Sequence, residues 1–228
     1  KAPAARSELK ARIQQVIQEN PELIHLTLRD YANRIREKNK IRRIVKNAFD
    51  NRLADTVSPE NPSKGPAAAP ITMIVYNSFQ CFTCAEVARM AEEILAAYPF
   101  SVRVVFKNHP LGDGTWPARA ARAAMAAHRQ GRFWPYHDLL YTAPILSEQR
   151  LKDMAKALGL DPMRFDRDRH SEALAARIQA EHERAEALGL VPPGVLINGV
   201  RMDGKAFPLH YYTTVIDDLL AEIGQVGK

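Results

Sequence analysis

The chain has 228 residues and a net charge of +6, with 46% hydrophobic and 25% charged residues. This composition is typical of a protein with a folded core, so it excludes a wholly disordered or collagen-like chain. No run approaches the roughly 18 apolar residues of a membrane-spanning helix. Two cysteines are too few for a small fold held together by disulfides.

The charge is distributed unevenly along the chain. Residues 1–70 contain 14 basic and 8 acidic residues, which accounts for the whole net charge, and residues 71–228 are neutral. Eight of the basic residues lie between Arg29 and Lys46. Such a stretch can bind nucleic acid or lipid, but it has few interleaved aromatic residues and no accompanying motif. We therefore interpret it as a solvated helix face and expect no nucleic-acid partner.

Residues 1–57 have the apolar spacing of amphipathic helices. Asn20-Pro21-Glu22 is a typical helix start, because asparagine caps a helix and proline suits its first turn. From there, apolar residues recur at steps of three and four as far as Leu53. A long helix with one apolar face must bury that face against another surface. The candidates are the downstream domain, another copy of the chain, a membrane surface or nucleic acid.

The pattern changes after a segment at residues 58–70 that contains four prolines and is predicted to be an extended linker. Short apolar runs predict strands at residues 71–76, 102–106, 195–197 and 200–202. Helices are predicted at residues 84–97, 118–130, 134–141, 147–158, 171–188 and 211–223. This order predicts an α/β domain with a mixed sheet and a helical insertion.

The two cysteines, Cys81 and Cys84, lie where the first predicted strand ends and a helix begins. A C-x-x-C pair at such a junction is the usual signal of a redox-active disulfide. A helix N-terminus stabilises a thiolate at Cys81 through its free N–H groups and its positive dipole. Cys84, one turn later, can attack a mixed disulfide formed at Cys81. We therefore predict Cys81 as the nucleophile and Cys84 as the resolving thiol.

Other interpretations of the cysteine pair are a structural metal site and two inert thiols. A metal site needs two more ligands, and the sequence has neither a second cysteine pair nor paired histidine spacing. We predict no metal ion and no cofactor, although a reduced thiol pair is also a ligand for Cu(I). Pro192-Pro193 leads into a predicted strand, which makes it a candidate for a cis peptide bond.

Residues 71–228 resemble the DsbA-like thioredoxin-fold proteins of the bacterial cell envelope. The resemblance rests on six segments in family order, at residues 79–84, 104–111, 118–127, 133–137, 157–161 and 193–199. The helical extension and the Pro-rich linker further resemble the oligomeric members of the family. Among them, the suppressor of copper sensitivity protein C group, whose members are disulfide isomerase-like, is the most similar.

The resemblance implies a thioredoxin fold with a helical subdomain inserted at about residues 117–188, preceded by an α-helical oligomerisation extension at 1–57. It also implies a cis-proline loop packed against the active-site disulfide. The distance to Asn198-Gly199 assigns the cis proline to Pro193; assigning it to Pro192 would need a one-residue length change. The aromatic cluster of the insertion is expected to be structural, and it comprises Phe133, Trp134, Tyr136 and His137.

For function, the resemblance implies a thiol–disulfide oxidoreductase of exported proteins that works as an oligomeric disulfide isomerase, a dimer or trimer. Its partners would be unfolded or misoxidised proteins and a membrane redox partner that recycles the cysteine pair. The alternatives are a monomeric dithiol oxidase and a copper-handling protein. The resemblance alone implies a periplasmic location. Because the chain begins with Lys1 rather than Met, we expect that it has been processed and that any signal peptide has already been removed.

Two departures from the family concern the surface of the site. The dipeptide Phe82-Thr83 contains no histidine, so we expect a less acidic Cys81 thiol and a weaker oxidant. Pro192 stands where relatives have Thr or Val, and it has no N–H to offer to a substrate backbone. We therefore predict that Phe82, Thr83 and Pro192 modulate substrate binding.

A third departure concerns the proton acceptor for Cys84. Many relatives have a buried glutamate six residues before the first cysteine, and this chain has Val75 there. Lys107, at the end of the second predicted strand, is the nearest charged candidate that the resemblance offers.

Overall fold

The computed structural model describes residues 2–112, 114–202 and 208–226. The chain divides into two compact units, residues 1–47 and residues 48–228. Within the described ranges, no helix combines the length and apolar character needed to cross a bilayer.

The first unit is built from two helices, α1 (Ala2–Glu19) and α2 (Pro21–Asp50), the second of which continues into the next unit. Asn20 separates them at the predicted helix start, and its carbonyl accepts the N–H of Ile24 at 3.2 Å. Ile24 of the predicted stripe is partly buried. Other large apolar residues of the two helices are exposed in the single chain: Leu9, Ile13, Val16, Ile17, Leu23, Leu26, Leu28, Tyr31 and Ile35. Because α2 ends at Asp50, the helical extension stops seven residues before the predicted boundary at residue 57.

The second unit contains a five-stranded mixed sheet and seven helices among its described residues. Its elements after α2 are β1 (Ser63–Lys64), β2 (Ile71–Asn77), α3 (Phe82–Ala97), β3 (Val102–Asn108), α4 (Trp116–His128), α5 (Phe133–Thr142), α6 (Glu148–Ala157), α7 (Pro162–Arg169), α8 (Glu172–Ala187), β4 (Gly194–Ile197), β5 (Val200–Met202) and α9 (Leu209–Val226). The strand order is β1-β3-β2-β4-β5, in which β2 and β3 are parallel and the other neighbours antiparallel. The predicted α/β architecture with a mixed sheet is confirmed.

The register of β2 determines which segments meet at the end of the sheet. Asn77 is paired with Asn108 of β3, and Tyr76 with Gly194 of β4. The carboxyl ends of β2 and β3 and the amino end of β4 therefore lie along one edge. Successive side chains alternate between the two faces, and nearly every residue of β2 is buried, so both faces are covered.

Helices α4 to α8 lie between β3 and β4, where the sequence predicts the insertion. Helix α4 presents a row of buried alanines, which allows close approach by α5 and α7. Helix α7 was not predicted, because Phe165 is its only buried apolar side chain and no stripe is visible in eight residues. Its start is instead determined by Asp161, whose carboxylate accepts the N–H of Arg164 at 2.9 Å.

Residues 51–64, which we name the strap, are attached to the second unit along their length. The N–H of Leu53 donates to the carbonyl of Gly199 at 2.8 Å, and the amide of Asn61 donates to Glu181 at 2.7 Å. Further on, Ser63 and Lys64 pair with β3, and the carbonyl of Pro62 accepts the N–H of Phe106 at 2.9 Å.

The strap differs from the predicted linker at residues 58–70, which was expected to be a spacer. The segment is also not extended throughout, because two turns are closed by hydrogen bonds from the N–H of Asn61 to the carbonyl of Ser58 at 2.9 Å and from the N–H of Ala69 to the carbonyl of Pro66 at 3.1 Å. A proline at a sheet edge loses its donor but keeps its carbonyl acceptor, so it does not prevent edge pairing.

A buried ion pair holds the strap against the sheet. The carboxylate of Asp55 is 1% exposed and lies 2.7 Å from Nζ of Lys107. The Tyr76 hydroxyl also donates to this carboxylate at 2.7 Å. Burial alone would raise the pKa of Asp55, but the hydrogen bonds from Lys107 and Tyr76 outweigh it and lower that pKa below 3.8.

We predict that Lys107→Met lowers the free energy of unfolding by about 3 kcal/mol, because it leaves the Asp55 carboxylate buried without its cation. The measurement is urea denaturation at pH 7. Arg52→Ala is the matched control, since it removes the exposed ion pair between Arg52 and Glu222 and should cost less than about 1 kcal/mol.

The stability loss of Lys107→Met is also expected to depend on pH. Because the folded-state pKa of Asp55 is lowered, its contribution is present above about pH 4 and is lost as the pH falls through the lowered value. The difference between wild type and Lys107→Met should therefore shrink in acid. Equal stabilities at pH 7 would show that the ion pair does not hold the strap.

Candidate active site

Cys81 and Cys84 form a disulfide at the start of α3, with a Cα–Cα distance of 5.1 Å. Cys81 is the N-cap residue of the helix, and its backbone is extended (φ −125°, ψ 120°). The N–H of Cys84 points at Sγ of Cys81 at 3.3 Å. When the disulfide is reduced, this N–H and the helix dipole stabilise a thiolate on Cys81.

The two sulfurs differ in their access to solvent. Cys84 is fully buried, whereas Cys81 is partly exposed. A reagent in solvent can therefore reach Cys81 and not Cys84. Thr83 lies beside the nucleophile, with Oγ1 at 3.4 Å from Sγ of Cys81, and Phe82 is 78% exposed.

The turn between β2 and α3 is anchored by aromatic side chains. Phe79 is 1% exposed and packs against Phe106 at 5.7 Å and Tyr141 at 5.2 Å between ring centroids. Burial raises the pKa of Tyr141 well above its usual value, so its hydroxyl stays protonated and donates to the carbonyl of Ser78 at 3.2 Å. His137 packs edge-on against Phe79 at 5.9 Å, which gives it the structural place predicted for it.

The next residue, Gln80, has a φ of +58°, in the left-handed region that residues other than glycine rarely adopt. This conformation reverses the chain between the buried Phe79 and the partly exposed Cys81. The turn therefore presents the nucleophile at the surface while its neighbour remains in the core.

Asn77 is the buried polar residue in contact with the resolving cysteine, and sequence reasoning missed it. It is 2% exposed, and its Nδ2 donates to the carbonyl of Cys84 at 3.1 Å. Val75, six residues before Cys81, is buried and apolar. The signal that could have identified Asn77 is a polar residue that ends an otherwise apolar strand four residues before Cys81.

The structure does not bring Lys107 to the cysteine pair. Side-chain alternation places it on the face of the sheet opposite Asn77, and α3 packs on the Asn77 face. Its ammonium group is bound by Asp55, by the carbonyl of Thr56 at 2.6 Å and by Tyr76 at 3.1 Å. The geometry therefore offers no direct route from Cys84 to Lys107, and Lys107 cannot touch a substrate.

The loop before β4 reaches the same edge of the sheet as the cysteine turn. The Pro192–Pro193 peptide bond is cis, at the proline that sequence distance indicated. Pro193 is buried, and the register that pairs Tyr76 with Gly194 places it beside the end of β2. Pro192 is half-buried and, as a proline, has no N–H for a substrate.

Large exposed apolar side chains come from three segments at this edge: the start of α3, the segment after β3 and the loop before β4. Phe82 follows Cys81, Leu111 follows β3 and Val191 precedes Pro192, and they are 78%, 52% and 59% exposed. Exposed apolar residues that cluster around a site are typical of an interaction surface. Within the described part of the chain, no group of three or more His, Cys, Asp or Glu side chains could hold a metal ion.

Comparison with known proteins identifies the fold. A family model described as "Thioredoxin" matches residues 57–218. The catalytic domain of Proteus mirabilis ScsC superposes with a TM-score of 0.63, at 19% identity, over 79% of this chain and 98% of that one. Wolbachia pipientis alpha-DsbA1 superposes with a TM-score of 0.65, at 21% identity, over 75% of this chain and 96% of that one. The predicted thioredoxin fold of DsbA-like type, with a helical insertion and preceding helices, is confirmed.

One curated relative has the name of an ion antiporter. The Na(+)/H(+) antiporter NhaA of Herminiimonas arsenicoxydans is 33% identical over 159 residues, which is 67% of this chain and 25% of the antiporter. The chain thus spans about a quarter of the length of the curated relatives it matches.

We predict that Thr83→Val slows the alkylation of reduced Cys81 by iodoacetamide about fivefold at pH 6, because the thiolate loses a hydrogen-bond donor. Cys84 is buried, so the rate reports Cys81. Thr213→Val, on α9, is the matched control and should react like wild type. Equal rates for Thr83→Val and the control would remove Thr83 from the site.

Proposed function

The chain belongs to the thioredoxin family, and on this premise we propose that it is a thiol–disulfide oxidoreductase of the DsbA and ScsC type that rearranges disulfides in other proteins. One observation carries the proposal: a disulfide at a helix start has one accessible sulfur, Cys81, and one buried sulfur, Cys84. This asymmetry is what a nucleophile and a resolving thiol require.

In isomerisation, the Cys81 thiolate attacks one sulfur of a substrate disulfide. The substrate S–S bond breaks, a mixed disulfide forms and the other substrate sulfur leaves as a thiolate. That thiolate attacks a second substrate disulfide, and a later substrate thiolate attacks the mixed disulfide and releases Cys81. If no substrate thiolate returns, Cys84 attacks Sγ of Cys81, which leaves the substrate reduced and the pair oxidised.

The substrates are proteins whose apolar segments are still accessible. Phe82, Leu111 and Val191 offer such segments an apolar rim around the nucleophile. The buried Pro193 shapes the loop between two of these residues, and Pro192 leaves the substrate backbone one donor fewer than a Thr or Val would. Unfolded and misoxidised proteins meet this description better than folded ones.

The first unit, residues 1–47, supports the proposal that the protein is a disulfide isomerase rather than a dithiol oxidase. Helices α1 and α2 expose a long apolar stripe that a second copy of the chain would bury. A dimer or trimer joined through these helices would hold several Cys81 sites around one substrate. Such an arrangement favours isomerisation, because the substrate stays captured while its disulfides exchange.

The remaining partners follow from the same chemistry. An isomerase must be kept reduced, so we assign to it a membrane-bound redox partner that reduces the Cys81–Cys84 disulfide. The likeness of the fold to DsbA and ScsC supports a periplasmic location, since disulfides form and persist in that compartment.

We predict that the full chain reactivates a test protein with scrambled disulfides, and that a chain beginning at Ala48 does so at least about tenfold more slowly. The shorter chain keeps the strap and the whole second unit, so circular dichroism should show it folded. Light scattering should give a multiple of 25.6 kDa for the full chain and a single unit for the shorter one.

Ile13→Glu together with Ile17→Glu tests the stripe without removing a helix, because both residues are exposed on α1. The double variant should behave like the shorter chain. A full chain that is monomeric, oxidises reduced proteins well and reactivates scrambled ones poorly would instead establish the dithiol oxidase.

A further inference from the structure

Two adjacent cavities lie between the segment that follows β3 and the helices of the insertion. The first, which we name the α8 cavity, has a volume of about 460 Å³ and reaches from Pro110 and Gly112 to one side of α8. The second, the α7 cavity, has a volume of about 350 Å³ and is bordered by Gly114 and the end of α7. Both are lined by Ala118 and Arg122 of α4, so one arginine side chain stands between them.

The segment after β3 contributes both to these cavities and to the rim of the cysteine site. Leu111, between the cavity-lining residues Pro110 and Gly112, is 52% exposed. Its N–H donates to Oγ of Ser78 at 3.3 Å, and Ser78 lies three residues before Cys81. The cavities therefore begin directly behind the apolar rim that surrounds the nucleophile.

The charged lining of the α7 cavity is mainly basic. Arg119, Arg122 and Arg169 face one carboxylate, that of Glu148, and His170 lies beside them. The carboxylate is shared, because Glu148 lies 3.3 Å from Arg119 and 2.6 Å from Arg169. Three positive charges thus line this cavity against one negative charge.

Arg122 is the arginine of this group that has no protein partner. Arg169 is bound by Asp166 at 2.7 Å as well as by Glu148, and Arg119 is paired with Glu148. Among the described residues, none forms a hydrogen bond or ion pair with the guanidinium of Arg122, which is partly buried. A guanidinium presents its N–H donors as a planar fork that binds a carboxylate with two parallel hydrogen bonds.

The α8 cavity offers space and apolar surface next to this guanidinium. Its His182 is bound to His109, at 2.8 Å between their Nδ1 atoms. Glu172 also lines the cavity, but it forms no ion pair with Arg122 and would oppose an anion there. The apolar part of the lining comes from α4 and α8: Ala118, Ala175, Ala176 and Ile178.

The volumes and charges together indicate the kind of ligand. Cavities of about 350 and 460 Å³ have the size of sites for an organic ligand or a peptide segment, and exceed what a single small anion needs. The unpartnered guanidinium requires a carboxylate, and the apolar lining suits the chain that carries it. An acidic residue of a polypeptide meets both requirements.

We propose that Arg122 binds an aspartate or glutamate side chain of a protein that is joined to Cys81 in a mixed disulfide, with the intervening chain lying over the rim at Leu111. The identity of this protein as a substrate rests on the proposed function, whereas the carboxylate site does not. The apolar rim and Arg122 would then select substrates together, by apolar residues close to the exchanging cysteine and by an acidic residue farther from it.

Binding of cysteine-free peptides to the full, oxidised chain tests the site without thiol chemistry. The probes are two dye-labelled peptides with the same apolar residues, one containing glutamates and the other glutamines at the same positions. Fluorescence anisotropy at pH 7.5 and constant ionic strength measures their dissociation constants. The glutamate peptide should bind about tenfold more tightly, the factor for one charge-assisted pair of hydrogen bonds.

Three variants change the site in two directions. Arg122→Gln should remove most of the preference for the glutamate peptide, and Arg122→Lys, which keeps the charge but not the fork, should keep about a third of it. Glu172→Gln should tighten glutamate binding about threefold, because it removes the carboxylate that opposes the ligand. Its helix keeps Ser171 as N-cap, so Glu172→Gln tests the site even if Arg122→Gln does not fold.

Arg34→Gln on α2 and Arg164→Gln on α7 are the matched controls, because both arginines are exposed and lie outside the two cavities. Arg34 belongs to the basic stretch at residues 29–46, which attracts acidic peptides without a built site. Both controls should keep the preference. A preference that is unchanged in Arg122→Gln, or that falls equally in the controls, would overturn the proposal. Tighter Arg122-dependent binding of inorganic phosphate than of the glutamate peptide would also overturn it, since the site would then be one for a small anion.

A second measurement separates this proposal from the proposed function. Peptides with one activated disulfide, flanked by glutamates or by glutamines, react at subsaturating concentration with Cys84→Ser, in which the adduct at Cys81 accumulates. The ratio of the two rates is compared with that in Cys84→Ser/Arg122→Gln, which removes the effect of the glutamates on the peptide disulfide itself. The ratio should be about tenfold higher with Arg122 present.

The outcomes of this second measurement are distinct. If neither peptide forms a mixed disulfide while the cysteine-free peptides bind as expected, the proposed function fails and the carboxylate site stands. Equal ratios with and without Arg122 would overturn its role in the choice of substrate.

Discussion

The pairing of β2 with β3 on one side and β4 on the other is the constraint on which the site depends. This register brings the turn that carries Cys81, the segment that begins at His109 and the loop that ends at Pro193 to one edge of the sheet. None of these segments is close to the others in sequence. The buried strand also fixes Asn77, whose amide contacts the first turn of α3 and so ties the helix to the sheet. The pairing of β2 and the contact of Asn77 with α3 therefore determine where the two sulfur atoms lie.

The strap extends the second unit on the N-terminal side of the residues that a family model matches at 57–218. Asp55, Asn61 and β1 connect residues 51–64 to Lys107, to Glu181 and to the edge of β3. The buried ion pair between Asp55 and Lys107 costs desolvation energy, which the hydrogen bonds from Tyr76 and to Thr56 help to offset. These contacts make residues 51–64 part of the second unit.

Sequence reasoning succeeded where the signal is local. The strand–helix junction at Cys81, the apolar run of β2 and the helix start at Asn20 depend on neighbours within a few residues, and each lies where it was predicted. The position of Pro193 followed from its distance to a hairpin turn. The misses depend on tertiary partners: the pairing of Lys107 with Asp55 and that of His109 with His182 span more than 50 residues, and composition does not reveal them. The proline-rich segment was misjudged because Pro62 keeps a carbonyl that accepts the N–H of Phe106, next to the short edge strand β1.

The central claim is that only Cys81 exchanges with substrate disulfides, while Cys84 resolves the mixed disulfide that forms at Cys81. The most direct measurement is to trap the mixed disulfide: Cys84→Ser and Cys81→Ser are each incubated with a protein that contains a strained or non-native disulfide, and the products are separated without reduction. The account predicts a covalent adduct with Cys84→Ser that a reductant releases, and none with Cys81→Ser. Adducts of equal yield from both variants, or an adduct only from Cys81→Ser, would contradict it.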